Sequence, residues 1–336
     1  MKKRILSVFL TAAMIVTAVG CTKAPAQSGT SSAAAGGTSS TAASTGEAEY
    51  AVILKNQASD FWVKMKEGVQ VEAKKLGIKV DVYAAQSEED TEGQLKILES
   101  CLTKNYKAIG VAPLSPVNLI PGIVKANQKG IYVMNIDEKV DLAALKAQGG
   151  SVIGFATTDN VKVGEKGAGY IIDTLKQGKV AIIEGKAGNA SGEDRKKGAT
   201  QAFEKNGKFK IVGSLPADWD RQKALDVAAS FIQQNPDLVG IYCCNDGMAL
   251  GAMQAVINAK KVGKILVVGT DGDTEALNSI KQQQLSATVA QDPANIGATS
   301  LQEMVNAVKA KGKIDPNVEP KMVPIDSNLM TKDNVK

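Results

Sequence analysis

The sequence predicts an α/β protein of two similar lobes, each with a parallel sheet covered by helices on both faces. Short apolar runs alternate with amphipathic helical patterns from Tyr50 onward, as in strand–helix–strand units. These units are too numerous for one sheet of ordinary size. The length of 336 residues also leaves room for two domains. The divide between the lobes is expected around Phe155–Asn160.

Two segments precede this pattern. Basic residues are followed by an apolar run at Ile5–Val19, and small residues stand directly before Cys21. This predicts a lipoprotein signal peptide over residues 1–21, with Cys21 carrying the lipid; ordinary cleavage and free secretion is the alternative. Residues 22–48 are almost entirely Ala, Ser, Thr and Gly. They bury too little apolar surface to become ordered, so we predict a flexible tether.

The first half of the folded region alternates regularly. Predicted strands are Tyr50–Leu54, Lys79–Tyr83, Ala108–Ala112, Ile131–Ile136 and Val152–Ala156. Predicted helices are Phe61–Leu76, Glu88–Lys104 and Val117–Gln128. The first helix, for example, places Met65, Val69 and Ala73 on one face.

The second half repeats the alternation. Predicted strands are Lys179–Glu184, Lys210–Ser214, Val239–Cys244, Ile265–Gly269 and Ala287–Ala290. Predicted helices are Val161–Leu175, Ser191–Lys205, Asp220–Gln234, a helix after Asp246, Thr274–Gln283 and Ile296–Lys311.

Polar and aromatic residues cluster where these strands end, and such ends face the ligand crevice of open α/β folds. The candidates in chain order are Lys55, Ser59, Phe61, Trp62, Asp137, Glu138, Asn189, Arg195, Trp219, Asn245, Asp271 and Gln291. The two tryptophans of the chain fall one in each half. Fixed donors and acceptors with flat aromatic faces suit a neutral polyol such as a sugar, with its hydroxyls and apolar C–H faces.

Asn245 and Asp246 follow the strand Val239–Cys244 directly. Asn245 stands at the strand tip, where a ligand contact is favoured. Asp246, one residue later, is interpreted as the cap of the following helix.

Composition argues against other classes of protein. The chain has no His, which removes the commonest general base and His-ligated metal sites. Cys101, Cys243 and Cys244 lack metal or redox spacing and are expected to be buried apolar side chains. Without the three basic residues of the leader, 37 basic residues face 35 acidic ones, which does not indicate nucleic-acid binding. No enzyme activity, cofactor or metal is expected.

Several segments together carry a family resemblance. They are Ala51–Lys55, Asn135–Lys139, Thr157–Asn160, Ile182–Glu193, Pro216–Arg221, Asn245–Ala249, Val267–Gly272 and Thr288–Thr299. Through them the chain resembles the sugar-binding proteins of bacterial ABC importers, of the ribose-binding type (periplasmic binding protein class I). The resemblance extends from Tyr50 to about Gln302.

The resemblance implies two Rossmann-like lobes joined by three crossover strands. It assigns residues 49–156 plus 291–322 to the first lobe and residues 157–290 plus 323–336 to the second. Phe61, Trp62 and Trp219 would cover the sugar ring, and the polar candidates would bind its hydroxyls from both lobes. Arg195 would pair with Asp271.

One loop departs from the family pattern. Asn-Pro usually precedes the aromatic pair, whereas this chain has Ser59-Asp60. Ser59 is a shorter donor than Asn, and Asp60 replaces a rigid Pro with a charge. Asp60 could cap the helix that begins beside it.

The function implied is that of an extracytoplasmic receptor, lipid-anchored at the outer face of the cell membrane, which delivers a monosaccharide to an ABC permease as a monomer. D-allose is the expected ligand. The alternatives are ribose, allulose or galactose, or a receptor that signals sugar instead of transporting it. A transcriptional repressor on the same fold would need a helix-turn-helix before the first strand, where this chain has a leader and tether.

Overall fold

Two six-stranded sheets order the chain in the computed structural model, which describes residues 47–335. Cys21, the predicted signal peptide and nearly all of the predicted tether lie outside the described residues. The first sheet has the strand order β11-β5-β4-β3-β1-β2, and the second has the order β12-β10-β9-β8-β6-β7. The elements of the first part are β1 (Tyr50–Leu54), α1 (Asp60–Leu76), β2 (Val80–Ala84), α2 (Thr91–Cys101), β3 (Ala108–Val111), α3 (Ile120–Gln128), β4 (Tyr132–Ile136), α4 (Leu142–Ala147) and β5 (Gly154–Thr158).

The second sheet is built in the same way. Its elements are α5 (Asn160–Leu175), β6 (Gly178–Glu184), α6 (Ala190–Asn206), β7 (Phe209–Pro216), α7 (Arg221–Gln234), β8 (Leu238–Cys243), α8 (Asp246–Asn258), β9 (Leu266–Asp271), α9 (Thr274–Lys281) and β10 (Ala287–Ala290). The chain closes with α10 (Pro293–Ala310), β11 (Lys321–Ile325) and β12 (Asn328–Thr331). All pairings are parallel except that of β12 with β10.

The lobes are connected three times. The chain crosses between β5 and α5, returns between β10 and α10, and crosses again between β11 and β12. The predicted fold class, with two α/β lobes and three crossings, is confirmed. The pairing of β11 with β5 extends through Ile325, so the last crossing follows Ile325 and does not begin at residue 323.

Both faces of the inner strands of the first sheet, β1, β3, β4 and β5, are buried, as the helices on either side require. In β1, Val52 and Leu54 pack in one apolar cluster, while Ala51 and Ile53 pack in another on the opposite face. The second lobe has its own core, which contains Cys243 and Cys244. The expected burial of the cysteines is confirmed, since Cys101 is buried as well. Among the described residues, no helix has the length and apolar character that a membrane crossing requires.

Candidate functional site

A cavity of about 280 Å³ lies between the lobes, at the carboxyl ends of the parallel strands. Its volume is close to the lower end of the range for small-molecule sites, about 300–1,000 Å³. It is lined by Lys55, Asn56, Ala58, Ser59, Phe61, Trp62, Glu88, Asp137, Ser191, Arg195, Trp219, Asn245, Gly247, Asp271, Asp273 and Gln291. Ten of the twelve residues predicted from the sequence are therefore brought together. Glu138 and Asn189 lie beside the cavity and do not line it.

The first lobe supplies an aromatic wall from the amino-terminal turn of α1. Phe61 and Trp62 are nearly fully buried, and their rings meet edge to face with centroids 5.0 Å apart. The Nζ atom of Lys55, which follows β1, lies 5.9 Å from the centroid of the Trp62 ring. A flat apolar face and a cation therefore stand side by side at this end of the cavity.

The second lobe supplies the other aromatic face through Trp219. Its indole Nε1 donates to Asn189 Oδ1 at 3.1 Å. A Cβ atom at Gly185 would lie 2.1 Å from the ring, and one at Gly192 would lie 2.9 Å from it. The ring therefore packs directly on bare backbone. Arg195 Cζ lies 6.0 Å from the ring centroid, so Trp219 is held by contacts on several sides.

Arg195, from the first turns of α6, is the central cation of the second lobe. It is 4% exposed. Its Nε donates to Asn160 Oδ1 at 2.8 Å, and its Nη1 donates to the Cys244 carbonyl at 2.7 Å. Nη1 also lies 3.5 Å from Asp271 Oδ1, which confirms the predicted pair. These contacts fix the guanidinium plane and leave Nη2 as a donor.

Burial is the largest cause of the raised pKa of three aspartates that line the cavity. It raises the pKa of Asp137 to about 6, although the charge of Lys55 opposes this. It raises the pKa of Asp271 to about 7, although Arg195 opposes this. The pKa of Asp273 is raised to about 6 by burial and by the nearby Asp60 charge. These groups are predominantly charged at slightly alkaline pH and titrate just below neutrality.

Three buried side-chain oxygens of the lining have no hydrogen-bond partner within residues 47–335. They are Glu88 Oε2, Asp137 Oδ1 and Gln291 Oε1. The other Glu88 oxygen accepts from Asn56 Nδ2 at 2.6 Å, and Gln291 Nε2 donates to Asp271 Oδ1 at 2.7 Å. A buried acceptor without a donor costs about 1–3 kcal/mol. The cavity is therefore suited to a ligand that presents several donors.

Three residues of the lining have positive φ although none is glycine: Asp137 at 59°, Trp219 at 66° and Asp271 at 127°. Such conformations cost about 1–3 kcal/mol each and persist only where surrounding contacts impose them. The contacts named above hold the side chains of Trp219 and Asp271. Part of the backbone strain in the described residues thus lies at the cavity.

The helix cap expected at Asp246 is instead formed by Asn245. Asn245 is itself the N-cap of α8, since its Oδ1 accepts from the Met248 N–H at 2.8 Å. It still lines the cavity, with its amide nitrogen available as a donor. Asp246 is not the cap: it is fully buried and accepts from the N–H groups of Gly272 and Asp273, both at 2.8 Å. It therefore fixes the turn after β9.

Glu138 and Asn189 connect the lobes. Glu138 accepts from Lys55 Nζ at 3.1 Å and, across the cleft, from the Ser191 hydroxyl at 2.8 Å. Burial would raise the pKa of Glu138, but the Lys55 charge and the Ser191 hydrogen bonds outweigh it and the pKa is lowered. Asn189 Nδ2 donates to the Leu114 carbonyl of the first lobe at 3.2 Å. Both polar groups are thus used by the protein itself.

Sequence reasoning missed four polar lining residues: Asn56, Glu88, Ser191 and Asp273. Glu88 was placed inside a predicted helix, whereas α2 begins only at Thr91. It belongs to the loop after β2, so a correct helix start would have revealed it as one more strand-end residue. Asn56 directly follows Lys55 at the end of β1. A search of the first two residues after each strand, instead of the first alone, would have included it.

Two parallel-sheet lobes around a polar cavity with aromatic walls define a two-lobe ligand-binding protein. A family described as "Periplasmic binding protein domain" matches residues 50–313. The chain therefore belongs to the periplasmic binding proteins. The D-allose-binding periplasmic protein of Escherichia coli is 55% identical over 288 residues, which cover 85% of this chain and 92% of that protein.

Two further comparisons agree with this assignment. The ribose import binding protein of Bacillus subtilis is 37% identical, over 70% of this chain and 74% of that protein. A periplasmic solute-binding protein of an ABC transporter from Actinobacillus succinogenes, solved with bound D-allose, has a TM-score of 0.80 at 31% identity and covers 86% of this chain and 99% of that chain. The resemblance expected from the sequence is confirmed, and these relatives are binding proteins rather than enzymes.

Proposed function

We propose that the chain is the extracytoplasmic substrate-binding protein of an ABC sugar importer and that it binds a monosaccharide, D-allose, in the interlobe cavity. The observation that carries the proposal is the set of unpartnered buried acceptors, Asp137 Oδ1, Glu88 Oε2 and Gln291 Oε1. Each hydroxyl that donates to one of them removes a desolvation cost. A polyol has enough hydroxyls to do so in a cavity of this size.

The aromatic walls support the same ligand class. Trp62 and Trp219 line the cavity from different lobes. Their indole rings would therefore cover the apolar C–H faces of a pyranose ring bound between them. The lining holds two cations, Lys55 and Arg195, against four carboxylates. This balance favours a neutral sugar over an anionic sugar phosphate.

The mechanism follows from the division of the site between lobes. Asp137 and Glu88 belong to the first lobe, while Arg195 and Asp271 belong to the second. A sugar completes its contacts only when the lobes meet, so binding favours the closed arrangement. A permease that recognises both lobes together would then receive the loaded protein.

The D-allose assignment rests on the relatives that are named for this sugar and on the lining. Isothermal titration calorimetry with D-allose, ribose, allulose, galactose and glucose tests it, with glucose 6-phosphate as the anionic control. We expect D-allose to bind most tightly and to change the tryptophan emission. Tighter binding of ribose would overturn the assignment to D-allose, and the absence of heat with all five sugars would contradict a monosaccharide receptor.

A pair of variants tests the role of the unpartnered acceptors. Asp137→Ala removes one of them and is expected to weaken D-allose binding at least about 10-fold. Asp237→Ala is the control, because Asp237 is an exposed residue that forms a surface ion pair with Lys179. Equal affinities of the two variants would show that Asp137 does not bind the ligand.

A further inference from the structure

The amino-terminal turns of α1 and α9 meet at the edge of the cavity, one from each lobe. Asp60, the first residue of α1, is flanked by the lining residues Ser59 and Phe61. Its Oδ2 atom accepts from the Thr274 N–H at 3.0 Å and from the Thr274 hydroxyl at 2.9 Å. Asp60 was expected to cap its own helix, but it does not do so in the structure. Its carboxylate binds the start of a helix in the opposite lobe.

α9 lacks a cap of its own. Its N-cap residue, Asp273, makes no side-chain hydrogen bond to the helix. The first N–H groups of a helix have no partner within the helix, and the positive end of the helix dipole lies there. Asp60 supplies both the acceptor and the negative charge. The first turn of α9 is therefore capped from the other lobe.

Lys64 strengthens the same contact from one turn further along α1. Its Nζ pairs with Asp60 Oδ2 at 2.7 Å and also lies 3.4 Å from the Gly272 carbonyl of the second lobe. Partial burial would raise the pKa of Asp60, but the hydrogen bonds from Lys64 and Thr274 outweigh it and lower the pKa. The carboxylate is consequently ionised at neutral pH. Two side chains of α1 thus reach the single turn at 272–274.

We propose that Asp60 and Thr274 form an interlobe latch that stabilises the closed arrangement whichever sugar is bound. Asp60 is outside the lining of the cavity, and its bonds to Thr274 can form only when the lobes meet. The latch therefore acts on the equilibrium between open and closed forms and not on ligand choice. This inference rests on the proposed function, because the affinity for sugar is what reports the closure.

The latch makes a specific prediction for affinity. Loss of an acceptor at a helix start weakens the affected equilibrium roughly 2- to 10-fold. Asp60→Ala should weaken the binding of D-allose and ribose by the same factor, mainly through faster dissociation. A cavity residue, in contrast, would change the two affinities unequally.

The experiment is a double-mutant cycle with Asp60→Ala, Thr274→Val and the combined variant, measured by calorimetry and by stopped-flow tryptophan fluorescence. Thr274→Val keeps the side-chain shape and removes the hydroxyl. We expect Thr274→Val to weaken binding in the wild-type background and to have no further effect in the Asp60→Ala background. Glu67→Ala is the matched control, since Glu67 is an exposed acid on α1 and its loss changes the net charge equally.

Two results would overturn the latch: strictly additive effects of the two substitutions, or a change in affinity for one sugar alone. Asp60→Pro tests whether the effect of Asp60→Ala comes from fraying of α1, because proline is well tolerated at the first helical position and keeps the helix start intact. It should reproduce the loss seen with Asp60→Ala while leaving the melting temperature unchanged.

Failure of the proposed function would appear separately, as a wild-type protein that binds none of the sugars. In that case small-angle scattering tests the latch directly. Asp60→Ala should then show a larger radius of gyration than the wild type and Glu67→Ala. Identical scattering curves would overturn the latch.

Discussion

Asp137 and Asp271 face the cavity with carboxylates that burial makes costly to ionise. Both are held in positive-φ backbone conformations, and the pKa of each is raised towards neutrality. Lys55 and Arg195 offset part of this cost by their charges. Protonation of these two groups should therefore weaken sugar binding and stabilise the ligand-free protein.

We expect sugar affinity to fall about 10-fold between pH 8 and pH 5.5, because protonated carboxyls accept weaker hydrogen bonds from hydroxyls. The stability of the ligand-free protein should change in the opposite direction. The folded pKa values of about 6 and about 7 exceed the ordinary value of 3.8, so the folded state binds more protons between about pH 4 and pH 7. Stability contributed by these groups is present at low pH and is lost as pH rises through about 6 to 7.

Calorimetry and thermal unfolding at pH 5.5, 6.5 and 8 measure the two trends. Asp271→Asn removes one of the groups and should flatten both curves while weakening binding at pH 8. Affinity that stays constant over this range would exclude ionised Asp137 and Asp271 as ligand acceptors.

At this scale the strand-end rule identified most of the site from sequence, including Lys55, Arg195 and Gln291. It succeeded because parallel strands bring their carboxyl ends to one edge whatever their packing. It could not separate Asn245 from Asp246, since both are good caps and their roles depend on the turn after β9, which is distant in sequence. Glu138 and Asn189 were similarly indistinguishable from lining residues, because Ser191 and Leu114, which they respectively contact, lie in the other lobe.

Among the elements, α6 contributes Ser191 and Arg195 to the second-lobe site, and its position depends on close contact with α5. A Cβ atom at Gly164 of α5 would lie 2.0 Å from the Arg195 carbonyl oxygen. A Cβ atom at Gly198 of α6 would lie 2.0 Å from the Val161 carbonyl oxygen. Glycine on both helices therefore lets the two backbones touch. The location of Arg195 is set by this contact as well as by its hydrogen bonds.

Gly164→Ala should lower the free energy of unfolding by about 1–3 kcal/mol, because the new methyl group overlaps backbone that cannot rotate away. It should also weaken sugar binding by displacing Arg195. Gly169→Ala, in the same helix, is the control: nothing lies within 4 Å of its Cβ position, and we expect a gain of about 0.5–1 kcal/mol. Chemical denaturation and calorimetry compare the two. Equal stabilities of the two variants would contradict close helix packing at Gly164.

Most helices and strands were predicted from periodicity, but α4, β11 and β12 were not. α4 is a single short helix whose Leu145 is its buried residue, which is too little for a helical pattern. β11 is largely exposed on one side and contains Pro324, and proline counts against a strand except at a sheet edge. β11 lies at the edge of its sheet, a position that a single sequence does not reveal.

At the scale of the whole molecule, the lobes are joined by more than their three crossings. Polar contacts across the cleft come from Glu138 with Ser191, Asn189 with Leu114, and Lys186 with Glu88 and Glu89. They surround the cavity, so the same closure that shapes it also forms these bonds. The predicted attachment to the membrane would hold this two-lobe body beside a permease.

We expect Cys21→Ser to release the protein from the membrane fraction into the soluble extracytoplasmic fraction, because the predicted lipid would be attached through the thiol. Fractionation followed by immunoblotting measures this. Thr22→Ser, which leaves the thiol in place, is the control. Continued recovery of Cys21→Ser in the membrane fraction would contradict the lipoprotein assignment.

The crossing between β10 and α10 also has a consequence for biosynthesis. α10 packs against α1 and against β3, β4 and β5, and β11 completes the first sheet, yet both follow the entire second sheet except β12 in the chain. The first lobe therefore lacks part of its core until nearly all of the polypeptide has been made. Pairing over such long sequence separations is slow. The first lobe consequently stays incompletely folded during synthesis, which suits the predicted export of the chain across a membrane.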